Sequence, residues 1–224
     1  KFVRIGSKIP VYNPHRILDD RELLSVFSRY KGGDKRMYII TDINHPKELT
    51  PISKRALRAL QDAGVILSNQ TPLLKGINDD PEVLSDLMND LASIGIPPYY
   101  VFQCRPTVGN AAFSVPIETG YTIFEATKRN TSGLAKRSRF IISHQTGKVE
   151  VMGLTKDKIM FKYHNAAEQE NESRVMIFRR NPEARWLDDY DEMIETYSLS
   201  DEIEEDLSQR TLYEYLESKS ISQE

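Results

Sequence analysis

An α/β fold built on parallel strands is what this sequence predicts, and three observations carry the prediction. Helix-like segments end at Gly32, Gly64 and Gly95, and an apolar or β-branched run follows each at once. Glycine just past a helix accepts the left-handed conformation that other residues resist. Thr50 before Pro51, and Asp80 before Pro81-Glu82, place a capping side chain ahead of a proline at the first helical position. The three glycines recur at about the length of one βα unit, and alternating strands and helices imply a parallel sheet with right-handed crossovers. Periodicity leaves open whether that sheet is open or curls into a barrel.

Taken in order, Lys1-Phe2-Val3-Arg4-Ile5 reads as a strand and lacks the apolar core of a signal peptide. The helix Arg21–Tyr30 leads to a strand at Met37–Thr41, Ile52–Ala63 to Val65–Asn69, and Glu82–Ile94 to Tyr99–Gln103. Pro116–Arg129 reads as one more helix and Ser138–Ser143 as one more strand. Lys148–Met152 and Lys158–Tyr163 form a predicted hairpin turning near Lys156-Asp157, where polar residues break the alternation. Asn165–Ser173 is a polar loop and Arg174–Arg179 a further strand. From Trp186 onward the chain is acidic and helical in propensity. Ile194, Tyr197, Ile203, Leu207, Leu212 and Leu216 would form an apolar stripe that packs on the body or on a partner. The expected organisation is therefore residues 1–145 as the parallel unit, 146–186 as a β-hairpin extension and 187–224 as an acidic helical tail.

The chain has 224 residues, enough to bury a core, with 28% charged residues and a net charge of -3. Lys and Arg are spread throughout, so nothing points electrostatically to nucleic acid, and the apolar runs are too short for a membrane helix. The single cysteine, Cys104, permits no internal disulfide and no multi-cysteine metal site, which suits a reducing cytoplasm. The chain opens without Met inside an apparent strand, which reads as a piece of a longer protein.

In parallel α/β folds the functional face lies at the carboxyl ends of the strands. That rule nominates Gly6-Ser7-Lys8, Asp42-Ile43-Asn44-His45, Ser68-Asn69-Gln70, Gln103-Cys104-Arg105 and Ser143-His144. Capping the next helix or satisfying loop backbone is the alternative role for each.

Three blocks, N-H-P-K-E-L-T-P from Asn44, D-A-G-V-I-L-S-N-Q-T-P-L-L-K-G-I-N-D-D-P-E from Asp62, and P-P-Y-Y-V-F-Q-C from Pro97, resemble the second half of the lysine 2,3-aminomutase family of radical S-adenosylmethionine enzymes. V-R-I-G-S-K-I-P-V resembles the family's R-I-G-S/T-R-x-P-V, and Thr131–Leu134 its T-S-G-x. The resemblance covers about two-thirds of the chain and stops near Gly153. It implies the later strands of a partial (βα) barrel. It also implies an activity in which S-adenosylmethionine and a [4Fe–4S] cluster generate a radical that abstracts a β-hydrogen, and an amino group migrates on pyridoxal phosphate. The family's C-x-x-x-C-x-x-C cluster loop has no counterpart here, so the cluster ligands would lie upstream, in a missing amino-terminal half of the same protein. An amino acid substrate is implied, and a homo-oligomer is left open.

Residue by residue, the resemblance implies that Arg4, Ser7, His45, Asn69 and Gln70 line the S-adenosylmethionine side of the cavity. The residue-level alternative for Arg4 is an ordinary ion pair. Asp42 stands where the family has histidine. Asp79, in N-D-D-P, reads rather as loop and helix-start chemistry. Lysine-acting members carry aspartates at the positions of Arg105 and Ser143, where they hold the substrate's distal ammonium. A guanidinium inverts that electrostatic preference, so a glutamate-like substrate with an anionic distal group fits better than lysine. The family's D-A-P-G-G-G-G-K loop, whose lysine forms the Schiff base, is shortened here to S-H-Q-T-G-K, leaving Lys148 as the available counterpart. Lys148 also fits a residue that merely opens the next hairpin. Two rival readings remain: a catalytically degenerate barrel relative serving as a binding or structural module, and a radical enzyme without pyridoxal phosphate.

Overall fold

The structure is a computed structural model that describes residues 2–32 and 35–198. It separates into two compact units, one of residues 2–143 with 181–189, the other of 144–180 with 190–198.

The first unit repeats strand and helix as the glycine spacing predicts. Its elements are β1 (Phe2–Ser7), the short helices α1 (Ile9–Tyr12) and α2 (His15–Leu18), α3 (Arg21–Ser28), β2 (Arg36–Asp42), α4 (Pro51–Asp62), β3 (Ile66–Leu73), α5 (Pro81–Ser93), β4 (Pro98–Gln103), α6 (Ile117–Arg129) and β5 (Arg139–His144). Thr50 Oγ1 accepts from Ser53 N at 3.2 Å and Asp80 Oδ1 from Glu82 N at 2.8 Å, so both expected caps form. Gly32, Gly64 and Gly95 all have φ between 77° and 87°, which ends each preceding helix and turns the chain toward its next strand. The first two short helices were not legible, since four residues carry too little periodicity.

Strands β1 to β5 pair in parallel in chain order. A sheet wound in one direction with right-handed crossovers places its helices on one face. Ile39, Leu67, Val101 and Phe140 are buried on that face, and Phe140 stacks on Phe124 of α6 with ring centroids 5.9 Å apart. The other face of the sheet, called the inner face below, carries Arg4, Tyr38, Ile40, Ser68 and Gln70. Along it, Asp42, Gln70, Tyr100 and Arg139 stand in register on four adjacent strands. Among the described residues strand β1 has a partner on one side only, and Phe2 and Val3 on it are exposed.

The second unit is an antiparallel meander: β6 (Gly147–Leu154), β7 (Lys158–Ala166), β8 (Val175–Arg179) and β9 (Met193–Tyr197). Its core is Val149, Val151, Ile159, Phe161, Met176 and Tyr190. The hairpin turns where expected, with Thr155 N donating to Lys158 O at 2.9 Å. The acidic helix expected over 187–224 fails where it is described: Leu187–Asp189 is a 3-10 turn and Met193–Tyr197 is a strand paired with β8. Its alternating Ile194 and Thr196 against Met193, Glu195 and Tyr197 fits a strand, and an open ladder edge on β8 outweighs local helix propensity. The rest of that stripe, from Ile203 on, lies outside the described residues. Among the described residues no helix is long and apolar enough to cross a membrane.

Candidate active site

Asp42 ends β2 on the inner face, and its Oδ1 is buried with no hydrogen-bond partner among the described residues. Burial pushes its carboxyl above the usual aspartate range; nearby Lys8 and the Asn44 amide oppose the rise, and Glu48 adds to it. Asn44 Oδ1 is likewise buried without a partner among the described residues. Two buried acceptors left open near a strand's carboxyl end call for hydrogen-bond donors. Lys8 Nζ donates to Asp42 O at 2.7 Å and pairs with Glu48 at 2.8 Å, tying the loop after β1 to the loop after β2. Glu48 Oε1 accepts from Asn44 N and His45 N at 2.7 and 3.0 Å. His45 Nδ1 accepts from Lys47 N at 3.1 Å, so the ring caps a 3-10 turn over Pro46–Glu48 while Nε2 makes no hydrogen bond to a described residue. The strand-end rule nominated Lys8 but not Glu48, and nothing local shows that two loops 40 residues apart meet.

Asn69 and Gln70 were expected together, and the sheet parts them. Neighbouring strand residues point to opposite faces. Asn69 is 1% exposed, and its side chain is consumed by the protein. Oδ1 accepts from Thr41 Oγ1 at 2.7 Å and Ile43 N at 2.9 Å; Nδ2 donates to Ile43 O at 3.0 Å and Thr71 Oγ1 at 2.9 Å. Asn69 thus braces the end of β2 and has nothing left for a cofactor. Gln70 is half-buried beside Asp42 on the inner face, and its amide makes no hydrogen bond to a described residue. The same parity separates Arg4, on the inner face, from Ser7, whose Oγ accepts from Ile9 N at 3.2 Å at the start of α1. Arg4 and Ser7 do not converge, and the guanidinium of Arg4 has no ion pair among the described residues. Asn78 is a further brace the sequence did not single out. Fully buried, it accepts from Leu74 N at 2.7 Å and donates to Asn44 O at 2.9 Å and Pro72 O at 3.0 Å. Asp79 accepts from Gly76 N at 2.7 Å, the loop role expected of it.

After β4, Gln103 is buried and donates to Val115 O at 2.7 Å and Arg185 O at 3.0 Å. Arg185 in turn donates to Ser114 O, so residues 181–189 return to hold the loop that carries Arg105. Burial pushes the Cys104 thiol up, so it stays protonated. Arg105 is exposed; its carbonyl accepts from Asn110 Nδ2 at 2.6 Å, and its guanidinium has no ion pair among the described residues. Ser143 lies half-buried at the end of β5.

Lys148 belongs to the second unit. It is half-buried within β6, opposite Asn165 in the ladder, rather than in a glycine-rich loop. Gly147 precedes it on the same strand. Its φ is 137°, and a Cβ there would overlap Asn165 O, so this glycine permits close strand approach.

No family model matches the chain. It is 50% identical over 201 residues to a protein of Aquifex aeolicus provisionally named an L-lysine 2,3-aminomutase, a match over 89% of this chain and 54% of the relative. By sequence, the chain is a homologue of the L-lysine 2,3-aminomutase family. The L-lysine 2,3-aminomutase of Acetoanaerobium sticklandii is 43% identical over 133 residues, 59% of this chain and 31% of the relative. The glutamate 2,3-aminomutase of Clostridioides difficile is 39% identical over 134 residues, 60% and 30% respectively. This aminomutase homologue therefore spans about half the length of the first relative and about a third of the other two.

Proposed function

We propose that this chain is part of a radical S-adenosylmethionine 2,3-aminomutase acting on an amino acid with an anionic distal group. The observation that carries the reading is the pair of buried acceptors without a partner among the described residues, Asp42 Oδ1 and Asn44 Oδ1, with Gln70 in register beside Asp42. They lie at the carboxyl ends of parallel strands, in a homologue of 2,3-aminomutases. These groups suit a ligand rich in hydroxyl or amine donors, and S-adenosylmethionine offers both. Arg105, after β4 and without an ion pair among the described residues, supports selection of a carboxylate over an ammonium.

The residues present do not fit an iron–sulfur cluster. Such a cluster is held by cysteine thiolates; the chain has one cysteine, its thiol is held protonated, and no three metal-ligating side chains gather among the described residues. Cluster ligands would come from sequence outside this chain. Pyridoxal phosphate, where bound, would supply the aldehyde carbon that holds the migrating nitrogen and a ring that delocalises an unpaired electron, and Lys148 is the amine proposed to hold it. What the chain's own residues do is bind and orient. Lys8 and Glu48 fix the loop after β2, Asn69 and Asn78 fix the strand ends, and Gln103 with Arg185 sets the loop bearing Arg105.

The strand position of Lys148 favours a second reading, a radical enzyme or binding relative without pyridoxal phosphate. Absorbance of the intact anaerobic protein separates them. An iron–sulfur band together with a pyridoxal phosphate band is expected for the aminomutase. The iron–sulfur band alone would mean the radical enzyme without pyridoxal phosphate, and neither band the binding relative.

A further inference from the structure

Arg105 is exposed, near the start of the loop that joins β4 to α6. An arginine on a loose backbone selects poorly, because the loop must be ordered as the ligand arrives. Two features of the segment Arg105-Pro106-Thr107-Val108-Gly109-Asn110 supply that order in advance. Pro106 disfavours the helical region for the residue before it, which favours an extended Arg105. Asn110 holds the other end of the same peptide segment. Its Oδ1 accepts from Thr107 N at 2.9 Å, and its Nδ2 donates to Arg105 O at 2.6 Å. The backbone closes the turn as well: Asn110 N donates to Thr107 O at 3.2 Å, with Gly109 between them at a φ of 89° that glycine adopts without strain. Asn110 is half-buried, whereas residues 105 to 109 are all exposed.

One partner is a backbone N–H and the other a backbone carbonyl, so the two together fix which way the amide lies. An ionised aspartate at this position would lose the donor, and glutamine would carry both groups one methylene further out. Beyond the turn, Asn110 O accepts from Phe113 N at 2.9 Å, and Phe113 O accepts from Lys75 N at 2.9 Å in the loop after β3. Asn110 thus links the Arg105 peptide to a neighbouring loop of the same unit. We propose that Asn110 is the positioning residue for Arg105, fixing the backbone from which the guanidinium meets the distal carboxylate of the substrate. Asn110 acts through Arg105, so its role rests on the selection of an anionic group by Arg105 proposed above.

Equilibrium binding of L-glutamate and of L-glutamine to the intact protein, without S-adenosylmethionine, tests it. The two amino acids match in shape and differ in the charge of the distal group, so the ratio of their affinities reads what Arg105 contributes. That ratio does not depend on the folded fraction of a variant. Arg105→Gln should lower the preference for glutamate about tenfold to a hundredfold, the range for one charge-assisted hydrogen bond. Asn110→Ala should lower it about twofold to tenfold, the range for one neutral hydrogen bond. Added to Arg105→Gln, Asn110→Ala should change the preference no further, because residues that act as a unit are not additive. If Arg105→Gln lowers the preference and Asn110→Ala leaves it unchanged, weakens both amino acids alike, or adds its full effect in the double variant, the positioning role is overturned and the reading of Arg105 stands. A parent protein with no preference for glutamate, or an Arg105→Gln protein that keeps it, overturns the reading of Arg105 and the role of Asn110 with it.

Discussion

Replacing Asn69 with alanine separates the bracing role of that side chain from any contact with a ligand. Truncation removes four hydrogen bonds. Thr41 Oγ1 keeps Ser68 O at 3.1 Å and Thr71 Oγ1 keeps Ile43 O at 2.9 Å, so neither hydroxyl is stranded. Ile43 N is different. It sits on a residue with no exposed surface and keeps no acceptor. An orphaned buried donor costs roughly 1–3 kcal/mol, and each of the other three bonds contributes about 0.5–1.5 kcal/mol. The central sum is about 5 kcal/mol, at the upper end for one substitution. For a chain of this length that lowers the melting midpoint by roughly 10–20 °C. Hydrogen exchange followed residue by residue is the sharper assay, because protection of the Ile43 amide should collapse well beyond the general loss at core amides such as Leu57. An Asn69→Ala protein that melts within about 1 kcal/mol of its parent, with Ile43 still protected, refutes the bracing argument.

Asp42→Asn tests the buried carboxyl: because its pKa is raised on folding, stability tied to it is full below about pH 4 and is lost as pH rises through the raised value. The variant should therefore melt above the parent at pH 7 and level with it near pH 4; superimposable pH profiles would count against a strained Asp42. Gly147→Ala should destabilise the second unit by at least about 1–3 kcal/mol through its positive φ and the clash with Asn165 O, read as early loss of amide protection in β6 and β7. Wild-type protection there would mean the backbone yields easily. Arg105→Asp in the intact protein should weaken an anionic substrate about tenfold to a hundredfold, and adding Ser143→Asp should begin to admit lysine-like amines. Unchanged substrate affinity in Arg105→Ala would remove Arg105 from the site.

What the sequence determined by itself was the local grammar. Thr50 and Asp80 cap helices, and Gly32, Gly64 and Gly95 end them, through contacts within a few residues, so each was legible before the chain was folded. The kinship was legible too, since the blocks around Asn44, Asn69 and Gln103 are short and specific. The nomination of strand ends as the functional face rested on a topological rule and drew in both faces of the sheet alike. Strand parity, a period of two already present in the sequence, was enough to set Asn69 apart from Gln70 and Arg4 apart from Ser7. Only the tertiary structure could show which parity faced the helices, because that depends on where α4, α5 and α6 pack. It alone revealed that Lys8 meets Glu48 and that Asn78 reaches Asn44. The strand at Met193–Tyr197 makes the same point: local propensity favoured a helix, and the open edge of β8 prevailed because a ladder's hydrogen bonds depend on a partner distant in sequence.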